Sequence, residues 1–475
     1  MRAEALVGHA AELLRRMLRS AQPPDAVAQE YFRQRSYLGS KERRFVAEVT
    51  FAAVRCWGIL RWCLARQSAP SVSVSPEWLV VVAMGYLGVQ LGNPHLVPAF
   101  AAAAQVSENE LWENLLTQVG WGVRGLKWLE ELGQRVCVLE RELQLLLRQP
   151  YSEWGPLQWE LFSAACSFPE WILRCWMDNP WTSLTPAEVF LLCRTLMMPA
   201  LPCVRVNTMR TSREHLLEEL RQRGIAATPT VFSPVGIRLW ERIAVHGLEP
   251  YRAGMLEVQE EGSQLVGYAV APQATWRLWD ACAGAGGKTL HLATLQQDRG
   301  EIWATDVDAL RLRALRQRLR RAGVRSVRVG VLRPHDSLSN LPRRFDAVLI
   351  DAPCSGIGTV RRTPTLKWRL SPSALRRHQQ RQLRLLQQYS SRVAPGGILV
   401  YATCSLMPEE NFGVVTQFLK QHPEWEAEPI EPVFQSMGIQ LPWILPQRPE
   451  CLLLPSRHGT DGFFIARFRR RHSKR

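Results

Sequence analysis

Two cysteines close two apolar, strand-like runs. Cys354 ends Val348-Leu349-Ile350-Asp351-Ala352-Pro353-Cys354, Cys404 ends Leu399-Val400-Tyr401-Ala402-Thr403-Cys404, and a serine follows each. A lone cysteine at a strand end is usually a small buried apolar residue. Two of them, both expected at the carboxyl edge of a parallel sheet where ligands bind, point to chemistry instead. Carbon-5 of a pyrimidine is a poor nucleophile. A thiolate added at carbon-6 makes the ring enamine-like and able to attack an electrophilic methyl group; the carbon-5 proton then leaves and the thiol is eliminated. Such a reaction needs a nucleophilic sulfur and a second acid/base group. A free cysteine, with a pKa of about 8.5, is mostly protonated at neutral pH. Cys404 precedes a helix expected to begin near Pro408-Glu409-Glu410; the field at its N-terminus favours a thiolate, and the two glutamates oppose it.

Upstream lies Asp280-Ala281-Cys282-Ala283-Gly284-Ala285-Gly286-Gly287-Lys288-Thr289. With a strand before it and a helix after it, this turn presents the main chain of Cys282, Ala283, Gly284, Ala285, Gly286 and Gly287 at a positive helix end, and its glycines let a ligand approach closely. Asp306 ends the next strand, where an acidic group accepts hydrogen bonds from a ribose diol. Residues 282–289 also come near the phosphate-binding G-x-x-x-x-G-K-T loop, with Asp351 as its distal acid. Cys282 stands where that loop needs glycine, and the reading leaves Asp306, Cys354 and Cys404 without a role. Lys288 can serve the cofactor, the ring or the helix surface, and Asp351 can stay charged or share a proton with the ring; the residues alone leave both open. The bland alternative is a tight strand–helix connection with no ligand.

The elements that must position these groups follow from the pattern. A chain of 475 residues implies about two to four domains, and 46% hydrophobic content supports packed cores. A net charge of +16 favours a polyanionic partner. Eleven cysteines without paired spacing, and ten histidines without ligand spacing, indicate neither zinc nor any other metal and fit a reducing cytoplasm. The N-terminus lacks a secretory pattern. The run Trp78–Leu91 is too short and glycine-broken to span a bilayer, so no membrane partner is expected.

Residues 1–145 read as an all-helical bundle, with apolar steps of three and four in Leu6, Ala10, Leu13-Leu14 and Met17, and a helix over Lys41–Leu64 that Ser40 would cap. Residues 146–262 hold linker helices and a small α+β module with strands at Cys203–Asn207, Thr228–Phe232 and Ile237–Trp240, and a helix over Arg213–Arg223. Residues 263–470 alternate strands and helices as a doubly wound, mainly parallel Rossmann-like α/β domain. Residues 471–475 form a basic tail.

Taken together, these motifs resemble the bacterial 16S rRNA cytosine-5 methyltransferases of the Sun/Fmu type, part of a wider RNA methylcytidine methyltransferase family. The family turn reads D-x-C-A-A-P-G-G-K-T, its cysteine loops stand at Asp351–Ser355 and Tyr401–Ser405, P-E-E-N at Pro408–Asn411, and H-G-T-D-G-F-F at His458–Phe464. The resemblance covers about residues 168–468, including Arg205-Val206-Asn207 and Gln259–Leu265. Weaker likeness at Leu38–Arg44 and Val54-Arg55 implies a NusB-like RNA-binding domain at the N-terminus, which favours rRNA over tRNA. The family implies S-adenosylmethionine as cofactor: Cys282–Lys288 would hold its methionine part, Asp306 its ribose, Asp336 (in His335-Asp336-Ser337) its adenine, with Asp351 beside both methyl donor and cytosine. It implies Cys404 as nucleophile, Cys354 as the group that helps the adduct break down, and RNA as the substrate; nothing in the sequence requires more than a monomer.

Two departures matter. Ala285 replaces the family proline, which would loosen the turn, and Gly284 replaces alanine. Arg361–Trp368 lacks the histidine and aspartate of the family's R-R-H-P-D-[IL]-[KR]-W stretch, a segment expected to line the RNA site. A target base must be unpaired or extruded to expose carbon-6. The arginines of 311–328 with Arg361, Arg362, Arg376 and Arg377 are candidate phosphate contacts. Alternatives carried forward are a tRNA enzyme, a DNA enzyme with exchanged cysteine roles, and an inactive ribosome-assembly factor.

Overall fold

A computed structural model describes residues 2–66, 75–88, 91, 95–118, 121–333, 336–442 and 448–472, without the side chains of residues 109 and 122. His335 and residues 473–475 of the basic tail lie outside the described residues. The chain forms two compact units, one of residues 1–199 with 360–369, the other of residues 200–359 with 370–475.

The first unit is helical. Its opening helix, Ala3–Arg19, buries Leu6, Val7, Ala10, Leu13, Leu14 and Met17 on one face, the 3.6-residue stripe expected of a helix against a core. It packs on Ser40–Arg55. The helix expected over Lys41–Leu64 is broken: Ser40–Arg55 stops, and Trp57–Ala65 starts after Cys56. The break seats Gly58 against Ser167, where an added Cβ would lie 2.8 Å from the Ser167 Cα, and the Gly58 N–H donates to Ser167 Oγ at 2.8 Å. Gly39, not Ser40, is the N-cap, with Glu42 accepting from the Gly39 N–H at 2.7 Å.

The segment 360–369 belongs to this unit. Lys367 donates to the Arg55 carbonyl at 2.7 Å, Trp368 Nε1 to the Val54 carbonyl at 3.1 Å, and Arg369 to the Met17 and Gln22 carbonyls at 2.6 and 3.0 Å. The Arg55, Val54 and Met17 carbonyls lie in the last turns of their helices, where carbonyls lack partners within the helix. Lys367 and Thr365 are buried. This part of the Arg361–Trp368 stretch therefore ties helices together and is not free to line an RNA site as expected. No helix among the described residues is long and apolar enough to cross a membrane.

The second unit carries two sheets. Strands β1 (Cys203–Val206), β2 (Ala227–Pro229), β3 (Gly236–Leu239) and β4 (Leu256–Val258) make a small antiparallel sheet in the order β2-β3-β1-β4. The helix Arg213–Gln222 packs on it, with Leu216 and Leu220 in a core shared with Val204, Val206, Ile237 and Leu256. The larger sheet holds β5 (Arg277–Asp280), β6 (Glu301–Asp306), β7 (Val327–Val331), β8 (Phe345–Asp351), β9 (Val393–Thr403), β10 (Trp425–Ala427), β11 (Glu450–Leu453) and β12 (Phe463–Arg470). Its order is β10-β12-β9-β8-β5-β6-β7, with β11 paired to β12. The five strands from β9 to β7 are parallel, and β10, β11 and β12 add an antiparallel edge. This is the expected mainly parallel α/β sheet. The unit's α+β part braces against it: the Asn207 side chain donates to the Gly254 and Ala322 carbonyls at 2.9 and 3.1 Å.

Candidate active site

Register places the chemistry. Asp280 is level with Leu349, Asp351 with Ala402, and Asp306 with Val331. The glycine turn, Asp306, the Cys354 loop and the Cys404 loop therefore all leave the carboxyl edge of the parallel sheet.

The turn is held from several sides. Ala281 and Ala283 donate their N–H groups to the Leu349 and Thr305 carbonyls, both at 2.9 Å. Gly286 has φ +87°, and a Cβ there would come 2.0 Å from Leu315 Cδ1, so only glycine fits. Gly284 has φ +53° with open space around its Cα, which makes glycine the apt replacement for the family alanine. The Ala285 carbonyl accepts from Arg318 Nη1 at 2.8 Å, a restraint where the missing proline predicted looseness. Arg318 and Arg321 both pair with the buried Glu257 on β4, Arg318 at 2.9 Å. These two arginines, expected as phosphate contacts, are turned inward, Arg318 onto the turn and Arg321 onto the Tyr251 hydroxyl.

Asp306 Oδ2 accepts from the Gly284 N–H and Oδ1 from the Asp308 N–H, both at 2.9 Å, which aims its carboxylate along the turn. Asp336 is exposed beyond β7 and accepts from the Arg333 N–H at 2.8 Å. Cys282 lies among Asp280, Asp351 and Asp306; burial first, then these carboxylates, pushes its thiol far up, so it stays protonated. Asp280 is fully buried. Burial raises it to about 7, although Thr289 Oγ1 donates to its Oδ2 at 2.6 Å. Its other oxygen has no partner.

Lys288 Nζ lies 2.6 Å from Asp351 Oδ2 and 5.4 Å from the Phe463 ring centre. Burial pulls the ammonium down, but Asp351, Cys404 and Asp280 outweigh it and the net shift is upward. Lys288 is thus a charged partner of Asp351 at the sheet edge. Cys354 Sγ and Cys404 Sγ are 3.4 Å apart. The hydrogen bond to Cys404, burial and the Glu410 carboxyl drive the Cys354 thiol well up. Burial and these neighbours thus favour the protonated thiol at Cys354.

The helix expected to start at Pro408 does not. Pro408–Glu410 is a single 3-10 turn, and the α-helix begins at Phe412. That turn carries Glu410 inward, where it meets Ser355 and Ser405, a role the sequence does not show, where the two glutamates read only as charges opposing a Cys404 thiolate. Among the described residues no cluster of His, Cys, Asp and Glu suits a metal ion.

A parallel sheet with a glycine turn after one strand and an acid after the next is the arrangement of an α/β enzyme that binds a nucleotide-type cofactor. Residues 267–469 match the family described as 16S rRNA methyltransferase RsmB/F, and residues 168–246 its RsmF/B-like ferredoxin-like domain. The probable ribosomal RNA small subunit methyltransferase B of Synechocystis is 29% identical over 458 residues, covering 92% of this chain and 93% of that protein. Its counterpart in Bacillus subtilis is 30% identical over 313 residues, covering 64% and 67%. The crystal structure of PH0851 shares the fold at a TM-score of 0.70 and 21% identity, covering 98% of this chain and 99% of that one. The chain belongs to the RsmB/F family of methyltransferases, and its cofactor is S-adenosylmethionine.

Proposed function

We propose that this protein methylates carbon-5 of a cytosine in 16S rRNA through a covalent bond between Cys404 and the base. The observation that carries this reading is the sulfur pair: Cys354 and Cys404, 3.4 Å apart, beside the Lys288–Asp351 pair. The names of the relatives, ribosomal RNA small subunit methyltransferases, support rRNA as substrate. The helices of residues 1–145 would act as a NusB-like RNA-binding domain, residues 146–262 would hold the small RNA-binding module, and the protein would work as a cytoplasmic monomer.

The residues present fit the cofactor. The turn from Cys282 to Lys288 leaves room above Gly284, Asp306 would take the ribose, and Asp336 is exposed at the same edge for the adenine. When bound, S-adenosylmethionine supplies an electrophilic methyl group. The protein does the rest. Cys404 Sγ stands 3.4 Å from Cys354 Sγ, at the edge where Lys288 pairs with Asp351. Cys404 would bond to carbon-6, and Asp351, paired with Lys288, would share a proton with the ring. After methylation the carbon-5 proton passes to water, its bonding electrons re-form the ring double bond, and the Cys404–carbon bond breaks with its electrons returning to sulfur. Cys354, next to that sulfur, is placed to assist this step.

The test is a pair of variants. Cys404→Ala should lose both methylation and covalent capture of RNA. Cys354→Ala should accumulate a protein–RNA adduct that survives denaturing gels. Exchanged phenotypes would reverse the roles, and bisulfite sequencing that finds the lost mark in tRNA would redirect the substrate.

A further inference from the structure

Glu410 is fully buried and lies between the two cysteine loops. Its Oε1 accepts from the Ser355 N–H at 2.8 Å and from Gln382 Nε2 at 2.9 Å. Its Oε2 accepts from the hydroxyls of Ser355 and Ser405, both at 2.5 Å. Those two hydroxyls are 3.0 Å apart. They belong to the residues that immediately follow Cys354 and Cys404, so one carboxyl group holds each loop one residue beyond its sulfur.

The surroundings fix the clamp in turn. Gln382 also donates to the Pro353 carbonyl at 3.1 Å, just before Cys354. Tyr401 OH donates to the Glu410 carbonyl at 2.6 Å. Asn411 Nδ2 donates to the Ser405 carbonyl at 2.9 Å while its Oδ1 accepts from Thr403 Oγ1 at 2.7 Å. Burying a carboxyl is costly unless donors surround it, and here the donors come from both catalytic loops at once.

We propose that Glu410 is a positioning residue: by binding the serine after each cysteine it locks the two loops in register, so that the Cys354 thiol meets the Cys404 sulfur when the adduct must be released. This rests on the covalent reading above. Formation of the Cys404 bond needs one loop in place, whereas release needs both. Loss of the clamp should therefore harm release more than attack. The buried acid also faces Cys354, so its charge bears on the proton held there.

The test uses the full-length protein with an RNA substrate. In Glu410→Ala, RNA should still be captured by Cys404, the adduct should persist, and kcat should fall about 100-fold, the size expected from a shift of about 1 Å in a reacting group. The Kd for S-adenosylmethionine should stay unchanged. In the near-isosteric Glu410→Gln the serines can still be held, and the alkaline limb of the release rate should move to lower pH as the negative charge beside Cys354 disappears. That variant keeps the test decisive if Glu410→Ala does not fold. Normal turnover without adduct accumulation, together with an unshifted pH profile, would overturn the proposal. RNA capture by Cys404→Ala would instead overturn the covalent reading itself, whatever the Glu410 variants do.

Discussion

Replacing Asp280 by asparagine should change how stability depends on pH. Asp280 is 0% exposed, one oxygen has no partner, and burial lifts it from 3.8 to about 7. The unfolded chain releases this proton near pH 3.8, whereas the native protein keeps it until about pH 7. Between those values the unfolded state binds fewer protons, so native stability falls as pH rises. The full loss, reached above pH 7, is about 4 kcal/mol. An asparagine side chain has no proton to lose, and its oxygen can accept from Thr289 Oγ1 as the Asp280 carboxyl does now. Asp280→Asn should match the wild type below pH 4 and exceed it by about 4 kcal/mol at pH 8. Urea denaturation at pH 5 and pH 8, followed by circular dichroism, measures this. The relevant transition is the one that added S-adenosylmethionine displaces. Its midpoint should rise by about 2 M at pH 8 for a slope of about 2 kcal/mol per molar urea, and by clearly less at pH 5. Equal midpoint differences at both pH values would show that Asp280 is ionised in the native state and refute the reasoning.

Two further outcomes follow from the turn. Asp306→Asn keeps an acceptor for the Gly284 N–H but removes the charge offered to a ribose diol, so isothermal titration should show S-adenosylmethionine binding weakened about 10- to 100-fold. Glu257→Ala strands Arg318 and Arg321, whose side chains are 18% and 17% exposed. It should cost about 3 kcal/mol in thermal denaturation and also weaken cofactor binding, because Arg318 would no longer be fixed on the Ala285 carbonyl.

Much of this arrangement is legible in the sequence because strands end where their apolar runs end. The parallel strands and the helix Ala309–Ala322 follow from hydrophobic period and from Gly323, and so does the gathering of Asp306, Asp351, Cys354 and Cys404 at one edge. Period, however, reports only which face is apolar; it does not say where a charged side chain finds its partner. Arg318 and Arg321 read as one more basic stripe, yet Glu257, more than 60 residues away in the chain, draws them inward. The break at Cys56 is hidden for the same reason: it seats Gly58 against Ser167, 109 positions after that glycine. Glu410 is the sharpest case. Beside Glu409 it reads as a charge opposing a Cys404 thiolate, and only the 3-10 turn at Pro408 carries it onto Ser355, 55 residues earlier. Residues that perform the reaction must stand at strand ends and so show themselves. Those that hold the loops are chosen by contacts across the fold, and a buried carboxyl among four donors is visible only once the chain has closed around it.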